Sequence, residues 1–203
     1  MERYIRAPLG GEFWYDNSIM DKEADNLSDS EMLLNGGQSA IEFILRDINF
    51  EDNDHILMPS YLCPTILYKF IKQNINILFY EINNDLSINI ESIRQLVEDY
   101  NIKALFFINY FGFYHDNETI LYLTNLKRKG LIIIEDSVQM LWFKRLNKFI
   151  GTYVFNSYRK FFPADGSMVL CNKYFRFDEI DEINDNYTKL VGEARKIKTK
   201  YIY

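Results

Sequence analysis

The sequence predicts an α/β protein with a mainly parallel central sheet and helices on both faces. Three observations carry that prediction. Short apolar runs recur along the chain, and most are followed by a run with helical periodicity. Two of the runs, Ala104–Ile108 and Leu131–Ile134, are apolar throughout instead of alternating, as expected of strands buried on both sides in a parallel sheet. The chain has 203 residues, 48% hydrophobic and 16% aromatic, which is enough to fill such a core.

Taken in order, residues 1–34 read as an irregular, acidic segment containing Gly10-Gly11. A helix follows, because Ile41, Ile44, Leu45 and Ile48 fall at i, i+3, i+4 and i+7 and make one apolar face. Ile56-Leu57-Met58 is a short strand ended by Pro59, and Pro64 suits the first turn of a helix running to about Asn74. Asn76–Ile82 is the next strand, and Ile90, Ile93, Leu96 and Val97 mark the next helix. After strand Ala104–Ile108, Glu118–Lys129 is helical and closes on Lys127-Arg128-Lys129, where cations suit the helix dipole. Strand Leu131–Ile134 is followed by two further candidates, Gly151–Ser157 and Met168–Cys171. From Asp178 onward, Ile180, Ile183, Tyr187, Leu190, Val191 and Ala194 keep a helical period in a charged background. The expected organisation is one domain over 1–177 and an amphipathic helix over 178–203, with no later segment to cover its apolar stripe.

Charge and composition narrow the function. A net charge of −6 with scattered basic residues argues against nucleic-acid binding. The N-terminus carries no apolar signal region, and no apolar run reaches a membrane span. Cys63 and Cys171 lack metal or disulfide-framework spacing. A cytoplasmic setting, with no metal and no membrane partner, is expected. His55 and His115 carry no catalytic pattern.

The candidate chemistry lies past the strands. Lys160 sits beside Arg159 and three residues after Ser157, just beyond a strand candidate. A neighbouring cation and the flanking Phe161, Phe162 and Pro163 would lower the basicity of that amine and suit it to attack an aldehyde; alone, Ser-x-x-Lys also describes an ordinary exposed lysine. Glu135-Asp136 ends a buried strand. Asp136 is either a solvated carboxylate or one that keeps a pyridine nitrogen protonated, and Gln139 lies within reach of the same ring. Gly36-Gly37-Gln38-Ser39-Ala40 precedes a helix and could close backbone N–H groups on a phosphate, with Ser157 adding a hydroxyl. Asn109 is either a satisfied strand-end amide or a site residue. No GxGxxG or GxxxxGK[ST] motif is present.

In this order, these pieces resemble the DegT/StrS family of nucleotide-sugar aminotransferases, which depend on pyridoxal 5'-phosphate (PLP) and share fold type I with aspartate aminotransferase. The resemblance runs from about Gly10 to about Cys171. It rests on Asn35-Gly36-Gly37-Gln38-Ser39-Ala40-Ile41, Met58-Pro59-Ser60-Tyr61-Leu62-Cys63-Pro64, Asn109-Tyr110-Phe111-Gly112, Glu135-Asp136-Ser137-Val138-Gln139, and Ser157 through Gly166. It implies that Lys160 forms the internal aldimine and Asp136 pairs with the pyridine nitrogen. Gln139 would lie near the ring hydroxyl, and Gln38, Ser39 and Ser157 would hold the phosphate. Cys63 stands where many members stack an aromatic on the ring, with Tyr61 nearby. An amino-acid donor, a keto-sugar nucleotide acceptor and a homodimer are the implied partners.

The chain departs from the family in its Ser-x-x-Lys spacing, where many members have a longer spacing with a histidine between. It also departs in length, ending within what resembles the helix that leads to a C-terminal small domain. Two alternatives therefore accompany transamination: a non-catalytic relative that associates with another chain, and a PLP enzyme of another reaction type, such as a sugar dehydratase or lyase.

Overall fold

The structure, a computed structural model, describes residues 28–140, 149–161, 165–172, 175 and 193–194. The expectations for residues 1–27, for Phe162 and Pro163, and for the tail helix apart from 193–194 lie outside the described residues.

The architecture is a seven-stranded sheet in the order β1-β7-β6-β5-β4-β2-β3. Its strands are β1 (Glu31–Leu34), β2 (His55–Pro59), β3 (Asn76–Tyr80), β4 (Ile102–Ile108), β5 (Ile132–Asp136), β6 (Tyr153–Phe155) and β7 (Ser167–Cys171). The run from β3 to β6 is parallel throughout, whereas β7 is antiparallel to both β6 and β1. The helices are α1 (Gly37–Ile48), α2 (Pro64–Lys72), α3 (Ile90–Asp99) and α4 (Asn117–Arg128).

Alternation along the strands sorts their side chains onto two faces. Ile56, Met58, Ala104, Phe106, Ile108 and Ile134 join one core with α1 and with Phe70 of α2. Leu57, Leu105, Phe107 and Ile133 join the other with Ile93 of α3 and with Leu123 and Leu126 of α4. This two-sided burial is why β4 and β5 read as unbroken apolar runs. Each fully buried side chain such as Phe106 contributes about 2–3 kcal/mol by leaving water.

Local chemistry sets the helix starts. Asn89 caps α3 by accepting the Ser92 N–H at 3.1 Å, and Asp116 caps α4 by accepting the Thr119 N–H at 2.8 Å. Pro64 occupies the first turn of α2, behind Cys63 at the N-cap. Gly36 caps α1 without a side chain, and buried Tyr153 ties that helix to β6 by donating to Asp47 Oδ2 at 2.5 Å.

Three boundaries correct the sequence reading; the first is β6, which spans only Tyr153–Phe155 instead of Gly151–Ser157, because Ser157 leaves the strand to cap the turn at Tyr158–Lys160. Residues 31–34, expected to be irregular, form edge strand β1, whose register runs from Glu31↔Leu170 to Leu34↔Ser167. The segment is short and lacks alternation, so its strand character comes from distant β7. β3 stops at Tyr80 instead of Ile82, because Ser92 Oγ takes the Glu81 N–H and Ile82 turns to bridge Ile88.

Candidate functional site

Three parallel strands end side by side, with Ile108 opposite Asp136 and Asp136 opposite Phe155. Their carboxyl ends open on a cavity of about 650 Å³, the position where open parallel sheets take ligands. All seven residues singled out from the sequence line it: Gln38, Ser39, Cys63, Asp136, Gln139, Ser157 and Lys160.

Asp136 is the last residue of β5 and only 2% exposed. Its Oδ1 accepts the Val138 N–H at 3.0 Å. Burial dominates and pushes its carboxyl up to about 7, against the opposing pull of that N–H and of the Lys160 charge. A carboxylate so held favours a nearby cation.

The lysine segment leaves β6 and makes a single 3-10 turn over Tyr158–Lys160. Its base is pinned to β7. Asn156 Oδ1 accepts the Met168 N–H at 2.7 Å, Ser167 Oγ donates to Asn156 O at 2.5 Å, and the Tyr158 N–H donates to Gly166 O at 2.9 Å. Gly166 has φ +143, and a Cβ there would lie 3.0 Å from the Tyr158 ring. Ser157 is 5% exposed, yet its hydroxyl, like the Gln38, Ser39 and Arg159 side chains, has no hydrogen-bond partner among the described residues. The Ser157 residue is buried but lines the cavity, so a ligand there can reach its hydroxyl.

The opposite wall is a pair of interlocked turns. Gln139 Oε1 accepts the Phe111 N–H at 2.6 Å. Gly112 has φ +83, and a Cβ would fall 2.5 Å from Gln139 O, so only glycine fits beneath that turn. Tyr110 donates its hydroxyl hydrogen to Tyr61 O, which fixes the Tyr61–Cys63 loop against the cavity. Cys63 is exposed, with Sγ 3.1 Å from Thr65 Oγ1. That contact lowers its thiol pKa, helped by the Thr65 backbone and the charge of Lys160.

Several residues took places the sequence did not assign. Asn109 is buried behind the cavity wall and donates to Glu135 Oε1 at 2.9 Å and to Ser137 Oγ at 3.0 Å. Glu135 is buried too, and its Oε2 accepts the Ile150 and Gly151 N–H groups at 2.9 and 2.8 Å. His115 uses Nε2 to bond Ile108 O at 3.0 Å, and burial lowers its pKa. Tyr110, Phe111, Arg159 and Asp165 also line the cavity. Tyr110, Phe111 and Asp165 stand within the quoted motifs without a role of their own, and Arg159 was read only as the cation beside Lys160.

These residues fit PLP. The donor set offers an amine, an unpartnered buried hydroxyl at the same 3-10 turn, and a desolvated acid suited to a protonated ring nitrogen. Neither glycine at the α1 start is demanded by packing: a Cβ on Gly36 meets nothing within 4 Å, and one on Gly37 makes only ordinary contacts from 3.8 Å.

Fold and cavity together define the large-domain arrangement of PLP-dependent transferases. The chain belongs to the DegT/DnrJ/EryC1/StrS aminotransferase family, whose model matches residues 31–176. Aminotransferases of this family, and solved structures of this fold, carry PLP or its amino form.

Among solved structures, an aminotransferase from Psychrobacter cryohalolentis aligns with TM-score 0.60 and 18% identity over 70% of this chain and 38% of its own. The PLP form of Spr1654 from Streptococcus pneumoniae, described as a candidate sugar aminotransferase, aligns with TM-score 0.59 and 17% identity over 80% of this chain and 45% of its own. A PLP-bound C-S lyase from Staphylococcus hominis aligns with TM-score 0.60 and 14% identity over 88% of this chain and 51% of its own. The chain thus spans about half or less of each. No curated protein matches its sequence. Among the described residues, no helix is long and apolar enough to cross a membrane.

Proposed function

We propose that the chain is the cofactor-binding part of a PLP-dependent aminotransferase that moves an amino group from an amino acid to a keto-sugar nucleotide. The observation that carries this reading is the convergence of Lys160 and the buried Asp136 on one cavity at the strand ends. Family membership favours transamination over lyase or dehydratase chemistry, since the fold alone is shared by both an aminotransferase and a C-S lyase.

When bound, PLP supplies an aldehyde for amine exchange and a ring that stores the electron pair released at the substrate carbon. Lys160 Nζ would bond the aldehyde carbon with loss of water and, as a free amine once a substrate amine had taken its place, would take the proton from the substrate carbon and return it. Asp136 would hold a positive charge on the ring nitrogen, an opposite charge that favours its buried carboxylate. Gln38, Ser39 and Ser157 bind the phosphate, with the α1 N-terminus adding its partial charge. Gln139 is set beside the ring by its bond from the Phe111 N–H, and Cys63 borders the ring face. A homodimer in the cytoplasm is the assembly and setting that go with this reading.

The test is a half-reaction. The chain is loaded with PLP and mixed with L-glutamate, and release of 2-oxoglutarate is followed together with loss of the aldehyde absorbance. Stoichiometric oxo-acid release that depends on Lys160 supports amino transfer. A loaded protein that releases none from glutamate or from a panel of other amino acids contradicts it.

A further inference from the structure

We infer that Arg159 is an oxyanion-binding residue of the cavity. The inference rests on the cofactor reading above for the identity of its ligand, and it gives Arg159 a role that neither the motifs nor the comparisons assign.

Arg159 and Lys160 are the side-chain cations among the described lining residues. On a 3-10 turn side chains three apart eclipse, and successive ones diverge by about 120°. Arg159 and Lys160 are successive residues of the turn, behind the extended N-cap Ser157, and so leave it in different directions. Both cations nonetheless reach the cavity, so they address different parts of whatever occupies it. Lys160 is committed to the aldehyde carbon and ceases to be a free ammonium there. Arg159 remains as the full positive charge facing the ligand.

Among the described residues, nothing answers that charge, and the side chain is exposed. Arg159 forms no ion pair or hydrogen bond among the described residues, although two acids, Asp136 and Asp165, line the same cavity. Ser157, two residues earlier and 5% exposed, also has an unpartnered hydroxyl. A guanidinium presents a planar fork of donors matched to two oxygens of a phosphate or carboxylate. The pinned base of the loop fixes the backbone from which that fork extends: the Tyr158 N–H is bonded to Gly166 O, and the Met168 N–H to Asn156 Oδ1. An oxyanion reaches Arg159 from one of two sources, the cofactor phosphate or the carboxylate of the amino donor.

Arg159→Gln and Arg159→Lys separate the sources. If the phosphate is bound, inorganic phosphate raises the melting temperature of the wild-type chain, and Arg159→Gln loses most of that rise. The same variant then weakens PLP binding, read by absorbance titration, by about tenfold or more, leaves pyridoxal binding unchanged, and is partly rescued by Arg159→Lys. If the carboxylate is bound, PLP affinity is unchanged, and the glutamate concentration that half-saturates the half-reaction rises by about tenfold with the plateau rate kept. Values within twofold of wild type for phosphate, PLP and glutamate together overturn the inference. Should the wild-type chain fail to bond PLP, the proposed function falls; an Arg159-dependent phosphate shift would still support this inference, and an Arg159-independent one would end it.

Discussion

Glu135 and Asp136 are adjacent in sequence and buried on opposite faces of the sheet. Asp136 shares the parity of Ile134 and faces the cavity beside α1, whereas Glu135 shares the parity of Ile133 and binds the Ile150–Gly151 turn on the α4 side. One acid lines the cavity and the other braces the frame around it.

That division predicts different losses. Glu135→Ala strands the Ile150 and Gly151 N–H groups and leaves the Asn109 amide only its bond to Ser137 Oγ, and is expected to cost about 2–4 kcal/mol in urea unfolding. Asp136→Asn preserves shape and removes only the charge. It is expected to retain PLP capture while the glutamate half-reaction slows by about 100-fold or more. Unchanged turnover in Asp136→Asn would refute the assigned role.

The raised carboxyl of Asp136 makes the ligand-free chain pH-sensitive in a definite direction. Its folded value of about 7 lies above the ordinary 3.8, so the folded state binds the extra proton between those limits. Its contribution is complete below about pH 4 and is lost as pH rises through 7, on the order of 4 kcal/mol at most. Unfolding free energies of wild type and Asp136→Asn are expected to diverge over that window in favour of the variant. Parallel pH profiles would contradict the burial argument.

Much of this was legible in the residues, because local chemistry wrote it. Apolar runs at β4 and β5 marked two-sided burial, Pro64 marked a helix start, and an acid and a lysine just past strands marked residues that line the cavity. What was not legible depends on distant partners. Edge strand β1 exists because β7 pairs with it, and Glu135 looked like a second solvated acid until the Ile150 and Gly151 amides came to it across the fold. Asn109, open between two readings, belongs to that same buried network.

Gly112 is required by the Gln139 turn. Gly112→Ala combines φ +83 with a Cβ 2.5 Å from Gln139 O, and is expected to destabilise by about 1–3 kcal/mol or more. PLP affinity should fall with it, because the displaced turn carries Gln139. A variant as stable as wild type would show that the turn moves freely.

The two cysteines should react unequally. Cys63 is exposed with a lowered thiol pKa, and Cys171 is buried. Iodoacetamide is expected to label Cys63 first, and bound PLP to protect it. Equal labelling of both, or no protection, would remove Cys63 from the cofactor's surroundings.

The central claim is that Lys160 captures an aldehyde cofactor beside Asp136. Borohydride reduction of the PLP-treated chain, followed by peptide mass spectrometry, measures this directly in wild type and Lys160→Ala. The reduced cofactor is expected on the Lys160 peptide and absent from the variant. A folded wild-type chain with no adduct, or one labelled equally without Lys160, would contradict the account.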